Sequence, residues 1–144
     1  MKNSGKLSIV ATPIGNLGDI TLRAIETLRN CDVIFCEDTR ITGKLLEHLE
    51  IPKKDLIRAD SEKEISSATY AVDLLSDGKH IVYASDAGTP GVSDPGARLV
   101  SHVRKEASEV KIESIPGASS ITTALSIAGI SNNSFTFLGF VPHK

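Results

Sequence analysis

Short apolar runs along this chain alternate with stretches in which apolar residues recur every three or four positions. Residues 7–11 (Leu7-Ser8-Ile9-Val10-Ala11) predict a first strand and residues 33–36 (Val33-Ile34-Phe35-Cys36) a second. Residues 80–84 and 110–115 predict two more, with residues 56–58 (Leu56-Ile57-Arg58) a weaker candidate between them. Helical spacing appears at 22–29 (Leu22, Ile25, Leu28), 41–49 (Ile41, Leu45, Leu46, Leu49), 66–75 and 97–106, each with one face to bury. Strands alternating with helices predict an α/β fold, a mostly parallel sheet with helices on both faces.

Composition narrows the picture. At 144 residues the chain fits one domain with a real core. No apolar run approaches the ~18–20 residues of a membrane span, and Met1-Lys2-Asn3-Ser4-Gly5 lacks the apolar core of a signal peptide. Cys31 and Cys36 are too few for a disulfide scaffold or a four-ligand zinc site, so no metal is expected. They read as reduced cysteines at the two ends of one strand in a cytoplasmic protein. A net charge of −2 excludes holding nucleic acid by bulk charge. There are no repeats and no low-complexity tract.

The odd residues gather behind the strands. Thr12-Pro13-Ile14-Gly15-Asn16 follows the first, and Glu37-Asp38-Thr39-Arg40 the second. The run from Ser85 to Gly96 (Ser85-Asp86-Ala87-Gly88-Thr89-Pro90-Gly91-Val92-Ser93-Asp94-Pro95-Gly96) follows the strand ending at Ala84, and Pro116-Gly117-Ala118-Ser119-Ser120 the last. In a parallel sheet all four loops leave from the carboxyl edge, where open α/β sheets bind ligands. Three glycines and two prolines in the third loop suit close approach of backbone to a small ligand. Asp94 predicts an N-cap with Pro95 in the first helical position. Neither G-x-G-x-x-G nor a G-K-[ST] phosphate loop is present, so the expected ligand is compact and not gripped by a pyrophosphate, with a positive charge compatible. Glu37, Asp38 and Asp86 are the carboxylates best placed to activate a hydroxyl, and Arg40 could meet a phosphate. The competing reading of 37–40 is a helix start, with Thr39 or Asp38 as cap and Arg40 on a solvated face. His48, His80, His102 and His143 fall in no motif and read as surface or packing residues.

Val10-Ala11-Thr12-Pro13-Ile14-Gly15-Asn16-Leu17-Gly18-Asp19-Ile20-Thr21-Leu22-Arg23-Ala24 resembles the opening motif of the tetrapyrrole (corrin/porphyrin) methylase superfamily. Gly15, Thr21, Leu22, Arg23 and Ala24 match it, while Pro13-Ile14 stands where Gly-Pro is usual. Ser85-Asp86-Ala87 falls where that superfamily has Gly-Asp-Pro, and Pro116-Gly117-Ala118-Ser119-Ser120 matches its P-G-x-[ST]-S. The departures resemble one branch, which methylates the 2′-hydroxyl of a cytidine in small-subunit ribosomal RNA. The resemblance implies S-adenosylmethionine as donor, small-subunit ribosomal RNA as partner and a homodimer of two-domain α/β subunits. It places the donor at Pro13, Gly15, Ser85, Asp86, Ala87, Gly88, Pro90, Pro116, Gly117, Ala118, Ser119 and Ser120. It leaves Glu37, Asp38 and Arg40 as the catalytic candidates. Residues 5–117 are then an N-terminal α/β domain, and 118–144 a linker helix (119–128) plus the first strand (134–140) of a second domain. On that expectation the chain is a piece of a longer protein and by itself inactive.

Two rivals stay open at this point. A methylase of a small corrin or porphyrin would share donor and fold, but predicts the usual G-x-G-P-G-D and G-D-P loops. A non-catalytic α/β binding module gives no reason for both the glycine loop and the Pro-Gly-Ala-Ser-Ser turn.

Overall fold

The computed structural model describes residues 4–131 and 133–142. Five parallel strands form one sheet: β1 (Lys6–Val10), β2 (Val33–Cys36), β3 (Asp55–Arg58), β4 (His80–Ala84) and β5 (Lys111–Ile115), in the order β3-β2-β4-β1-β5. The weakly signalled third strand therefore forms, as an edge strand with no fully buried residue. The helices are α1 (Leu22–Asn30), α2 (Thr39–His48), α3 (Glu64–Ser76), α4 (Gly96–Glu106) and α5 (Ser120–Ile127). His143 lies outside the described residues.

Alternation along the strands sends apolar side chains to both faces. One face packs Leu7, Phe35, Ile81 and Tyr83 against Ala71 and Leu75 of α3 and Leu99 and Val103 of α4. The other packs Val10, Ile34 and Val82 against Ala24 and Leu28 of α1 and Leu46 of α2. Leu28 is completely buried, which stabilises the docked α1 by about 1.5–3 kcal/mol. Thr21 caps α1 by accepting from the Ala24 N–H at 3.0 Å.

Two local readings are refined. Cys36 ends β2, but Cys31 stands at the C-cap of α1, outside the strand. Both thiols are free and buried; burial pushes Cys31 up to about 11 and Cys36 upward as well, so neither is an activated nucleophile. Before α4, Pro95 already has helical dihedrals, and Asp94 Oδ1 accepts from the Gly96 N–H at 2.7 Å, the expected side-chain cap.

The expected strand at 134–140 does not form. Phe135, Phe137, Leu138 and Phe140 carry the apolar pattern but stay exposed, because no described strand offers them a ladder partner. The linker helix does form, as α5, yet buries none of its residues. Among the described residues no helix is long and apolar enough to cross a membrane.

Candidate functional site

The strand order puts β4 between β2 and β1, so the loops after these three strands meet at one sheet edge. Main-chain bonds tie them. Thr12 N–H donates to the Gly88 carbonyl at 3.0 Å, and Gly88 N–H returns to the Thr12 carbonyl at 3.1 Å, an isolated antiparallel bridge. Thr12 Oγ1 donates to the Ser85 carbonyl at 3.1 Å, and Ser85 Oγ to the Gly88 carbonyl at 3.0 Å. Thr89 Oγ1 donates to the Ala118 carbonyl at 2.8 Å, which draws in the loop after β5. Gly88 is held at φ +82, and a Cβ there would stand 3.2 Å from Ile14 Cγ2. Only glycine meets both demands without strain.

The Thr12–Gly88 bridge separates two hollows. One, of about 310 Å³, is lined by Pro13, Gly15, Ser85 and Asp86, with Leu17 and the α2 residues Ile41, Lys44 and Leu45. The other, of about 250 Å³, is lined by Ala87, Gly88, Ser119 and Ser120, with Ile14, Phe137 and Phe140. The structure thus divides the donor residues expected from sequence into two neighbouring sets. Pro90 is buried, and Pro116, Gly117 and Ala118 frame the loop after β5 without lining either hollow.

Glu37, Asp38, Arg40 and Asp86 share a third cavity, of about 550 Å³, with Arg58 and Asp60. Their states differ. Asp38 is the N-cap of α2: its Oδ1 accepts from the Arg40 N–H at 2.9 Å. The Arg40 guanidinium also grips it with both arms, Nε to Oδ1 at 3.0 Å and Nη2 to Oδ2 at 2.6 Å. Hydrogen bonds from the Arg40 side chain and backbone hold the Asp38 carboxyl well below the usual range. Such a carboxylate is a weak proton acceptor. Glu37 is the opposite case: burial raises it, and the charges of Asp86 and Asp94 add to the rise despite a hydrogen bond from the Asp86 N–H. Of the two candidate carboxylates at 37 and 38, Glu37 is the better proton acceptor.

Sequence reasoning missed Lys44, Arg58, Asp60, Glu64, Arg98 and Tyr83. Most are charged residues on helix faces or just past an edge strand, where a solvated role is the ordinary reading. A weak signal existed for Tyr83, a hydroxyl inside an otherwise apolar strand. Among the described residues no group of histidine, cysteine and carboxylate side chains could hold a metal ion.

Residues 6–141 match the family described as Tetrapyrrole (Corrin/Porphyrin) Methylases. The chain is 47% identical over 140 residues to the Ribosomal RNA small subunit methyltransferase I of Neisseria meningitidis serogroup A, covering 97% of this chain and 47% of that protein. The protein of the same name from Thermotoga maritima is 45% identical over 138 residues, covering 96% of this chain and 61% of its own length. The chain therefore spans about half the length of several curated relatives that it matches. Among solved structures, uroporphyrin-III-C-methyltransferase from Thermus thermophilus aligns with a TM-score of 0.65 at 22% identity, over 88% of this chain and 54% of that one. Diphthine synthase aligns with a TM-score of 0.70 at 17% identity, over 92% of this chain and 52% of that one. At such identities these two report the fold alone.

Proposed function

The chain belongs to the tetrapyrrole (corrin/porphyrin) methylase family, and on that premise we propose that it serves an S-adenosylmethionine-dependent methyltransferase acting on the ribose 2′-hydroxyl of a cytidine in small-subunit ribosomal RNA. The relatives at 42–48% identity are named Ribosomal RNA small subunit methyltransferase I, which supports RNA over a small tetrapyrrole as acceptor. The observation that carries the reading is the lashing of the loops after β1, β4 and β5 around Gly88, with Glu37 and Asp86 beside them.

The residues fit the donor. Gly88 at φ +82 clears space that a Cβ would fill, and both hollows are lined by small residues beside apolar side chains. Pro13, Gly15, Ser85 and Asp86 would hold one part of it, and Ala87, Gly88, Ser119 and Ser120 another, with Pro90, Pro116, Gly117 and Ala118 shaping the loops. Bound S-adenosylmethionine supplies a methyl sulfonium, an electrophile that needs alignment more than covalent help. Glu37 takes the proton that leaves the acceptor hydroxyl, its raised pKa suiting it to that task. Asp38 fixes Arg40, whose exposed guanidinium faces RNA phosphate. Residues 5–117 act as the donor-binding unit and 118–144 join it to a second one in a cytoplasmic homodimer, so this stretch alone does not methylate.

The test is calorimetry with S-adenosylmethionine on the full-length protein. Methyl transfer from labelled donor is then assayed separately on small ribosomal subunits and on a tetrapyrrole. Donor binding with transfer to the subunits alone is expected. Transfer to the tetrapyrrole alone would replace the acceptor class, and absence of donor binding would overturn the enzyme reading altogether.

A further inference from the structure

The cavity that holds Glu37 and Arg40 adjoins another of about 420 Å³, and the two share Glu37 and Asp60. Together they form a trench along the carboxyl ends of β2 and β4. Its floor is acidic: among the described residues no cation is bonded to Glu37, Asp86 or Asp94, which are met by main-chain N–H groups. Its rim is basic. Arg98 lines one cavity, and Arg40 and Arg58 the other. Each arginine leans on a carboxylate (Glu64, Asp38 and Asp60), yet the three side chains remain 78%, 85% and 53% exposed and keep donors free.

Beneath this floor lies the one buried side-chain polar atom, among the described residues, that lacks a hydrogen-bond partner: the hydroxyl of Tyr83. Tyr83 is fully buried in β4, beside Phe35. Its Cε1 and Asp94 Oδ1 stand 2.7 and 2.8 Å from the point a Cβ on Gly96 would occupy, so glycine there lets the ring edge approach the start of α4 and Asp94. The ring edge thus comes up against the start of α4 beneath the floor, while Tyr83 itself lines neither cavity. A buried O–H without an acceptor costs free energy, a cost the fold carries beneath the trench.

A simple cation is repelled by the arginine rim, and a simple anion by the carboxylate floor. A nucleotide within a strand meets both, with neutral N–H and O–H donors at its centre and phosphates to either side. We propose that the trench seats one nucleotide of single-stranded RNA. Its hydroxyl or amino donors face Glu37 and Asp94, and its flanking phosphates lie against Arg98 on one side and Arg40 and Arg58 on the other. The inference rests on the RNA acceptor proposed above and locates it.

The experiment uses the full-length protein and a fluorescent, cytidine-containing single-stranded oligoribonucleotide titrated at several salt concentrations, with melting curves and S-adenosylmethionine affinity measured alongside. Arg58→Gln/Arg98→Gln is expected to weaken RNA binding about tenfold and reduce the salt slope by about two, leaving donor affinity unchanged. Arg58→Lys/Arg98→Lys should restore most of the slope, which separates charge from folding. Tyr83→Phe, below the floor and outside both cavities, is expected to keep the parent RNA affinity while melting at or above the parent temperature, because it removes an unpaired buried hydroxyl. Parent-like RNA affinity and salt slope in the glutamine double variant, with donor binding and methyl transfer to small subunits intact, overturns the trench and leaves the function standing. A parent protein that binds donor but neither binds the oligonucleotide nor methylates small subunits overturns both.

Discussion

Glu37 and Asp86 lie 49 positions apart, yet each carboxylate grips the other's loop. Glu37 Oε1 accepts from the Asp86 N–H at 3.2 Å, and Asp86 Oδ1 accepts from the Asp38 N–H at 3.1 Å. This brace fixes where Glu37 points without neutralising it. Burial and the nearby Asp86 and Asp94 charges therefore leave its pKa above the usual 4.5.

A base must be ionised to accept a proton. Methyl transfer should then rise with pH through an apparent pKa above 4.5 and level off once Glu37 has lost its proton. Glu37→Gln should remove that limb of the single-turnover profile and cut the rate by ~10²- to 10⁴-fold, with donor affinity unchanged. A Glu37→Gln protein with the parent profile would return Glu37 to a bracing role.

Asp38 and Arg40 should separate from Glu37. Asp38→Ala removes the α2 cap and is expected to lower the melting temperature by a few degrees, while Asp38→Asn, which can still cap, should not. Arg40→Ala should leave melting nearly unchanged and reduce the salt slope of RNA binding by about one. Differential scanning calorimetry and the RNA titration check the two parts.

Gly88→Val places a branched side chain at φ +82 and against Ile14. Donor affinity should fall by ~1–3 kcal/mol, the range of local strain costs, with the sheet retained. Calorimetry reads the affinity and far-ultraviolet circular dichroism the fold; unchanged affinity removes Gly88 from the donor site.

Glu113 predicts the acid limb of stability. Burial opposes its charge, but hydrogen bonds from Ser8 and Lys6 and the Lys6 charge outweigh that and bring it down to about 2. A depressed carboxyl contributes its full stability above the unfolded value of 4.5 and loses it as pH falls toward about 2. His80 acts in the same direction at higher pH. Burial, then Lys6, keep it neutral, so stability declines once the unfolded chain protonates below 6.5. Urea melts of the parent and Glu113→Gln across this range should show a flatter acid limb in the variant.

Much of this was legible in the chain, because strand and helix periods report burial directly. The loops after β1, β2, β4 and β5 were placed on one edge by the parallel topology alone. Strand order was not legible: nothing local says that β4 inserts between β2 and β1, and that insertion brings Asp86 to Glu37. The trench residues Asp60, Glu64 and Arg98 stayed hidden for the same reason, since they join only through α3 and α4. The apolar run at 134–140 forms no strand here because a strand signal reports what a segment can pair with, and no described strand meets it.

The Thr12–Gly88 bridge has a thermodynamic consequence. Its two amides lie in loops but are bonded as in a ladder, so their hydrogen exchange should be as slow as that of neighbouring strand amides. A cradle already ordered before any ligand arrives has little conformational entropy left to lose on binding. Donor association should therefore be fast and rigid-body in character, and the enzyme's slow step, if one is conformational, must be sought on the acceptor side.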